Sequence, residues 1–190
     1  MESERRLYLS VRHSGWNDRT LQGRRLLTQL RCGNSELRVN TGRWEGLPRE
    51  ERLCELCAKE TEDEAHFLLR CSYFAERRQG LFAKITAACE EPIPGDSGTA
   101  SSAPLRLSEL NAETQLRVLL GSPHPSLQNE KVHRRLLSRV LVAVAEWMEE
   151  RRTRLNAVEQ LLQEVEARET SGTESESEEY DTSDEEQESE

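Results

Sequence analysis

CELCAKETEDEAHFLLRC, residues Cys54 to Cys71, places three cysteines and one histidine at the spacing Cys54-x2-Cys57-x8-His66-x4-Cys71. A Cys-x-x-Cys pair on a tight turn lets two thiolates reach one ion. A His and a Cys on a following helix then complete a tetrahedron. Zinc accepts such a mixed sulfur and nitrogen set, at about 2.3 Å and about 2.0 Å, with no geometric demand beyond four ligands. With all four positions filled by protein, no site is left for water, so the expected ion is one structural zinc with no catalytic role. The rival readings are ordinary buried thiols with a hydrogen-bonded core histidine, or a disulfide between two of the cysteines.

The flanks carry further signals. Thr61 followed by Glu64 has the form of a capping box and predicts a helix from about Glu62, with Glu62, Asp63 and Glu64 in its first turn. Phe67 and Leu68 give that helix an apolar face. An unbroken α-helix turns about 100° per residue, which would set His66 and Cys71 roughly 140° apart. The helix is therefore expected to distort or end near Arg70 so that Cys71 can fold back. Trp44, between Gly42 and Gly46 in what reads as a turn-rich approach, is either an apolar cover for the metal turn or a plain core residue. Cys32 and Cys89 fall outside the ligand set and read as small buried or free thiols.

The runs GRWEGLPREERLCELC (Gly42 to Cys57) and EDEAHFLLRC (Glu62 to Cys71), with LLTQLRCGNSELRVNTGRW (Leu26 to Trp44) upstream, resemble the zinc-binding segment near the C-terminus of LINE-type, non-LTR retrotransposon reverse transcriptases. The resemblance spans about residues 18 to 88 and is loose beyond 105. Cys54, Cys57, His66 and Cys71 match that family's metal motif. The resemblance implies a detached or co-opted tail piece, without polymerase or endonuclease domains, that helps hold RNA or DNA.

Charge along the chain is uneven. The net charge of −10 comes from the end: Glu169 to Glu190 carries 11 acidic residues and no Lys or Arg, leaving 25 acids against 26 bases before it. From Met1 to Arg52 every basic residue is arginine, eleven of them against seven acids. Arg19, Arg24, Arg25, Arg31, Arg38, Arg43, Arg49 and Arg52 are candidate phosphate contacts, and Trp44 is a candidate base-stacking partner. Competing with this is a plain solvated surface.

Asn17 or Asp18 can cap a helix through Leu21, Leu26, Leu27 and Leu30, closed by Gly33, while the segment around Leu7, Leu9 and Val11 reads as strand or loop. Ser72 to Cys89 reads as a helix with Phe74, Leu81, Phe82 and Ile85 turned inward. Pro, Gly, Ser and Thr dominate 91–104, which reads as a linker. Leu105 to Leu120 is a short helix ended by Gly121. Ser126 can cap a long helix to about Arg168, in which Leu137, Leu141, Val144, Met148, Leu155, Val158, Leu162 and Val165 recur in steps of four and three, Arg151 filling one gap. Such a heptad seam suits a coiled-coil homodimer through 137–165, or a single amphipathic helix folded back on its neighbour. Its first half is more widely apolar, with Leu136, Val140, Val142 and Trp147, and can pack on the domain while the second half pairs. Thr170 to Glu190 lacks core residues and is expected to be disordered.

The expected fold is mostly α: a small zinc-stapled helical domain (1–90), a flexible linker (91–104), a helical region with a long C-terminal helix (105–168) and a disordered acidic tail (169–190). The expected function is a non-catalytic zinc module that binds RNA or DNA, with no small-molecule substrate. The alternative is a protein-interaction scaffold in which zinc only staples the fold and the long helix finds the partner. No apolar run reaches the ~20 residues that span a bilayer, and the free-thiol pattern suits a reducing, intracellular setting, the nucleus preferred over the cytoplasm.

Overall fold

In the computed structural model, residues 18–92, 105–125, 127 and 129–172 are described. The expectations for Leu7 to Val11, Asn17, Ser126, most of the 91–104 linker and the tail from 173 fall outside those residues.

The protein is mostly helical. In chain order the helices are α1 (Asp18–Arg31), α2 (Arg38–Trp44), a π turn (His66–Arg70), α3 (Ala75–Glu90), α4 (Ala112–Leu119) and α5 (Glu130–Gly172), with single 3₁₀ turns at Arg49–Glu51 and Leu107–Glu109. Among the described residues, the one β-type pairing is an isolated antiparallel bridge between Leu53 and Thr61. No described helix is long and apolar enough to cross a membrane.

Helix ends follow local chemistry. Gly33 (φ 61°) and Gly121 (φ 88°) adopt the left-handed conformation that an L side chain resists. After α1, Asn34 N donates to Gln29 O at 2.9 Å and Gly33 N to Leu30 O at 3.3 Å; after α4, Ser122 N donates to Arg117 O at 2.8 Å and Gly121 N to Val118 O at 2.9 Å. Both ends are Schellman motifs, as the two glycines imply. Helix starts depart more from expectation. α4 begins at Ala112, seven residues after Leu105, because the Asn111 side chain accepts from Thr114 N at 2.8 Å. α5 begins at Glu130, where Asn129 Oδ1 accepts from Lys131 N at 2.9 Å. Asparagine serves a helix start as well as serine does. Arg38–Trp44 is a helix and not the turn-rich approach expected around Trp44: Val39, Asn40 and Gly42 are all buried, a spacing that suits one helical face.

Residues up to Arg152 form one compact unit and those from Thr153 another. In the first unit, helices before and after the 91–104 stretch bury side chains in one core: Leu26, Leu27 and Leu30 of α1, Phe67 and Leu68 of the π turn, Leu81 and Ile85 of α3, Val118 and Leu119 of α4, and Leu136, Leu137, Val140, Leu141, Val144 and Met148 of α5. α4 packs on the π turn, and the Leu107–Glu109 turn on α3. The first half of the heptad seam is thus spent on the protein's own core. α1 meets α5 so closely that a Cβ built on Gly23 would lie 2.0 Å from Leu141 O.

Among the buried polar residues, one has an imidazole without partners. His133 of α5 is buried, and neither ring nitrogen has a hydrogen-bond partner. Burial, then the Arg31 charge, lowers its pKa, with Glu130 opposing.

Two outcomes follow. Gly23→Ala forces backbone against backbone and should cost about 3 kcal/mol in denaturant unfolding. For His133 the folded pKa lies below the unfolded one, so the unfolded chain binds the proton first. Stability should therefore fall as pH drops below about 6.5. His133→Leu should flatten that acid limb and add about 1 kcal/mol at neutral pH; a limb of unchanged slope would exclude His133 as its source.

Candidate metal centre

The metal turn begins with extended chain. Cys54 N donates to Glu60 O at 2.9 Å and Glu62 N to Arg52 O at 2.9 Å, so residues 52–54 and 60–62 pair on either side of the Cys-x-x-Cys turn. The turn closes with Ala58 N donating to Cys54 O at 2.7 Å. Ala58 has φ 54°, the sole non-glycine residue at positive φ among those described. An alanine there costs of order 1 kcal/mol, held by the turn that aims Cys54 and Cys57 at one point.

The expected capping box does not form. Thr61 Oγ1 donates to Arg49 O at 3.1 Å, and Glu62 is still in extended chain, its carbonyl accepting from Val39 N at 3.0 Å. The helical segment starts at Glu64, with Asp63 as its cap: Asp63 Oδ1 accepts from His66 N at 2.7 Å. Pairing with Arg52 and Val39 competes with the helix for Thr61 and Glu62, and pairing wins.

From His66 to Arg70 the helix widens to a π turn, and Cys71 N donates to His66 O at 2.7 Å. An i to i−5 bond brings residues five apart onto one side, where an α-helix would separate them by about 140°. This is the distortion expected near Arg70, and it covers the whole segment between the two ligands.

As a result the four ligand atoms of Cys54, Cys57, His66 and Cys71 lie within 4.8 Å of one another, a cluster that can hold a metal ion. Cys54 Sγ is 3.9 Å from Cys71 Sγ, and Cys57 Sγ is 3.3 Å from His66 Nε2. All four thiol and imidazole groups converge without a disulfide; the cysteines are free. Cys54, His66 and Cys71 are buried, with Cys57 half-buried. The hydrogen bond between Cys54 and Cys71 raises the pKa of Cys54, burial adding to it, and lowers that of Cys71. Cys71 is thus the first of the pair to lose its proton, and a metal ion would take both as thiolates.

Outer contacts fix the ligands. His66 Nδ1 lies 3.4 Å from Glu60 Oε2, an arrangement that turns Nε2 inward, and Arg70 Nε holds the same oxygen at 2.8 Å. Arg78 Nη2 donates to Cys71 O at 3.1 Å, placing positive charge behind that thiol; burial lowers the Arg78 pKa and Cys71 opposes.

Beside the cluster is a feature that the heptad reading masked. Arg151, the gap in the seam, is 3% exposed and Glu62 is 1% exposed. Arg151 Nε donates to Glu62 Oε1 at 2.7 Å and Nη2 to Glu62 Oε2 at 2.7 Å, while Nη2 also reaches Glu55 Oε2 at 2.8 Å. Glu62 accepts from Arg38 N at 2.9 Å, and its Oε1 is 3.7 Å from Cys54 Sγ. Burial would lower the Arg151 pKa, but the hydrogen bonds and charge of Glu62, with Glu55, raise it overall. The residues missed by sequence reasoning are these two. An arginine at a seam position was the available signal.

Trp44 is neither a cover for the metal turn nor core; it is 60% exposed. The buried indole is Trp147 of α5, stacked on Phe74 at 5.3 Å and meeting Phe67 edge-on at 6.1 Å. Most of the candidate phosphate contacts are engaged within the fold. Arg38 pairs with Glu45 at 2.6 Å, Arg49 with Asp63 at 3.1 Å, and Arg52 donates to the carbonyls of Leu47 and Val39. Arg19 on α1 faces Glu146 at 3.5 Å, and Arg31 at the end of α1 lies by Gly121. Arg24 is half-buried, while Arg25, Arg43 and Trp44 are exposed. Cys32 is exposed and Cys89 half-buried, both apart from the cluster.

Arg151→Met strands a buried carboxylate beside the cluster and should cost about 3–5 kcal/mol, whereas Glu62→Met combined with Arg151→Met should recover most of it. Chemical unfolding of the single and double variants measures the difference; equal losses would show that the pair does not act as a unit. Searches against protein-family models, curated proteins and solved structures find no match to the chain.

Proposed function

We propose that Cys54, Cys57, His66 and Cys71 hold one structural zinc ion, and that the unit so built is a non-catalytic module for RNA or DNA, of the retroelement type its sequence resembles. The observation that carries the zinc reading is the convergence of the four ligand atoms. A tetrahedron with zinc's bond lengths has edges of about 3.8 Å between sulfurs and about 3.5 Å between sulfur and nitrogen. The Cys54–Cys71 and Cys57–His66 separations are 3.9 Å and 3.3 Å. Four protein ligands leave no open position on the ion. Three thiolates and a neutral imidazole around a dication carry a net charge of −1, to which Arg78 is complementary.

Support for nucleic acid comes from the sequence resemblance and from the surface of α2. Arg43 and Trp44 stand exposed side by side in sequence, an arginine to meet phosphate and an indole with a free face for a base. The engaged arginines narrow the candidates: Arg52 holds the chain around Leu47 and Val39 and belongs to the fold.

Purified protein should contain one zinc per chain by native mass spectrometry. Fluorescence titration with single-stranded RNA and DNA should show affinity that falls steeply with salt as counterions are released. Trp44→Ala should weaken binding by about 1–3 kcal/mol, and Arg43→Glu should also reduce the salt slope. Zinc at full occupancy with no salt-sensitive binding would sink the nucleic-acid reading and leave the metal assignment standing.

A further inference from the structure

The helix residues beyond Arg152 present an apolar face. Val158 is 44% exposed, Leu161 61%, Leu162 59% and Val165 51%, and Leu155 is half-buried. Monomeric helices seldom keep such a run on one face in water. Leu137, Leu141, Val144 and Met148, which continue the same seam towards the N-terminus, are buried in the core. The part left uncovered is therefore two heptads, with Leu155 and Leu162 at a, Val158 and Val165 at d, and Leu161 at a flanking g position.

The flanking charges choose the occupant. In this register Arg154 and Arg168 are at g, and Glu159 and Glu166 at e; all four are exposed. When copies of the helix run parallel and in register, each g residue meets the e residue five positions on in its neighbour. Arg154 then faces Glu159 of the next copy, Leu161 lies over the stem of Glu166, and no like charges meet. In an antiparallel pair g meets g and e meets e. Arg154 would face Arg168, and Glu159 would face its own counterpart. The one opposite-charge pair there, Glu166 with Arg152, needs a guanidinium that Glu36 already holds through Nε at 2.6 Å and also through Nη2.

We propose that residues 154–168 are a self-association seam, packing parallel and in register against the same segment of further copies of this chain. Leu at a with β-branched Val at d favours three or four strands over two. Two heptads are short for an isolated coiled coil, but here the helix is already nucleated, because its first half is fixed in the core. The seam is independent of the nucleic-acid reading and of the metal, neither of which lies in this segment.

Sedimentation and light scattering of the full chain should give a mass of two or more chains that falls on dilution. Leu162→Glu, at an exposed position, should leave helix content and thermal unfolding of the core unchanged and yield monomers. The charge pattern separates the orientations. Arg154→Glu sets Glu against Glu159 in the parallel arrangement and should weaken assembly about tenfold, with Arg154→Glu combined with Glu159→Arg restoring it. In an antiparallel arrangement Arg154→Glu would meet Arg168 and strengthen assembly. A wild-type chain that is monomeric at every concentration, or assembly tightened by Arg154→Glu, would overturn the proposal.

Discussion

Arg151 and Glu62 form the contact on which the arrangement of the first unit depends. One belongs to the long helix α5 and the other to the extended chain entering the π turn, 89 residues apart in sequence. Both are removed from water, so each needs the other: a lone carboxylate or guanidinium at that depth would cost several kcal/mol. The pair also explains why Glu62 is extended and not helical. Its carboxylate has to reach α5 while its backbone serves Val39 and Arg52, and a first-turn helical residue could not do all three. The metal cluster sits directly behind it, with Cys54 Sγ against Glu62 Oε1. The long helix and the Cys-x-x-Cys segment are thereby one cooperative object, joined further by the ring contacts among Phe67, Phe74 and Trp147.

That interdependence shows how far the sequence could be read. The ligand set was legible because coordination chemistry imposes spacing on residues close in sequence. Helix ends at Gly33 and Gly121 were legible for the same reason, since a left-handed residue is a local demand. The helical class followed from apolar periodicity. The errors lie where a long-range partner overrides a local signal. Thr61 and Glu64 make a sound capping box on paper, yet strand-like pairing with residues 52–54 takes Thr61 and Glu62 first. Trp44 and Trp147 are equally hydrophobic, and no local rule decides which one is buried. Arg151 looked like a flaw in a heptad and is a buried anchor. The seam divides at that residue: the helix changes there from core-facing to exposed.

Among the arginines, number alone proved a poor guide to availability. Arg38, Arg49 and Arg52 spend their donors on carboxylates and carbonyls within the fold, and Arg52 also covers Gly42 with its stem. An arginine-rich stretch can thus be structural in good part, its planar donor fork suited to gathering carbonyls from a turn as well as phosphates from a ligand. This leaves Arg25, Arg43 and Trp44 among the exposed members of the set.

The π turn between His66 and Cys71 has a consequence for how such centres vary. A π turn is what an α-helix becomes when it gains a single residue without passing the extra length along. Read backwards, a chain with three residues between the histidine and the final cysteine could bring the same two ligands together on an ordinary α turn. The x4 spacing and the widened helix are therefore one event. Insertion and deletion at this point would trade one helical form for the other while the four side chains stayed in place, so the cluster tolerates a length change that the rest of the core would not.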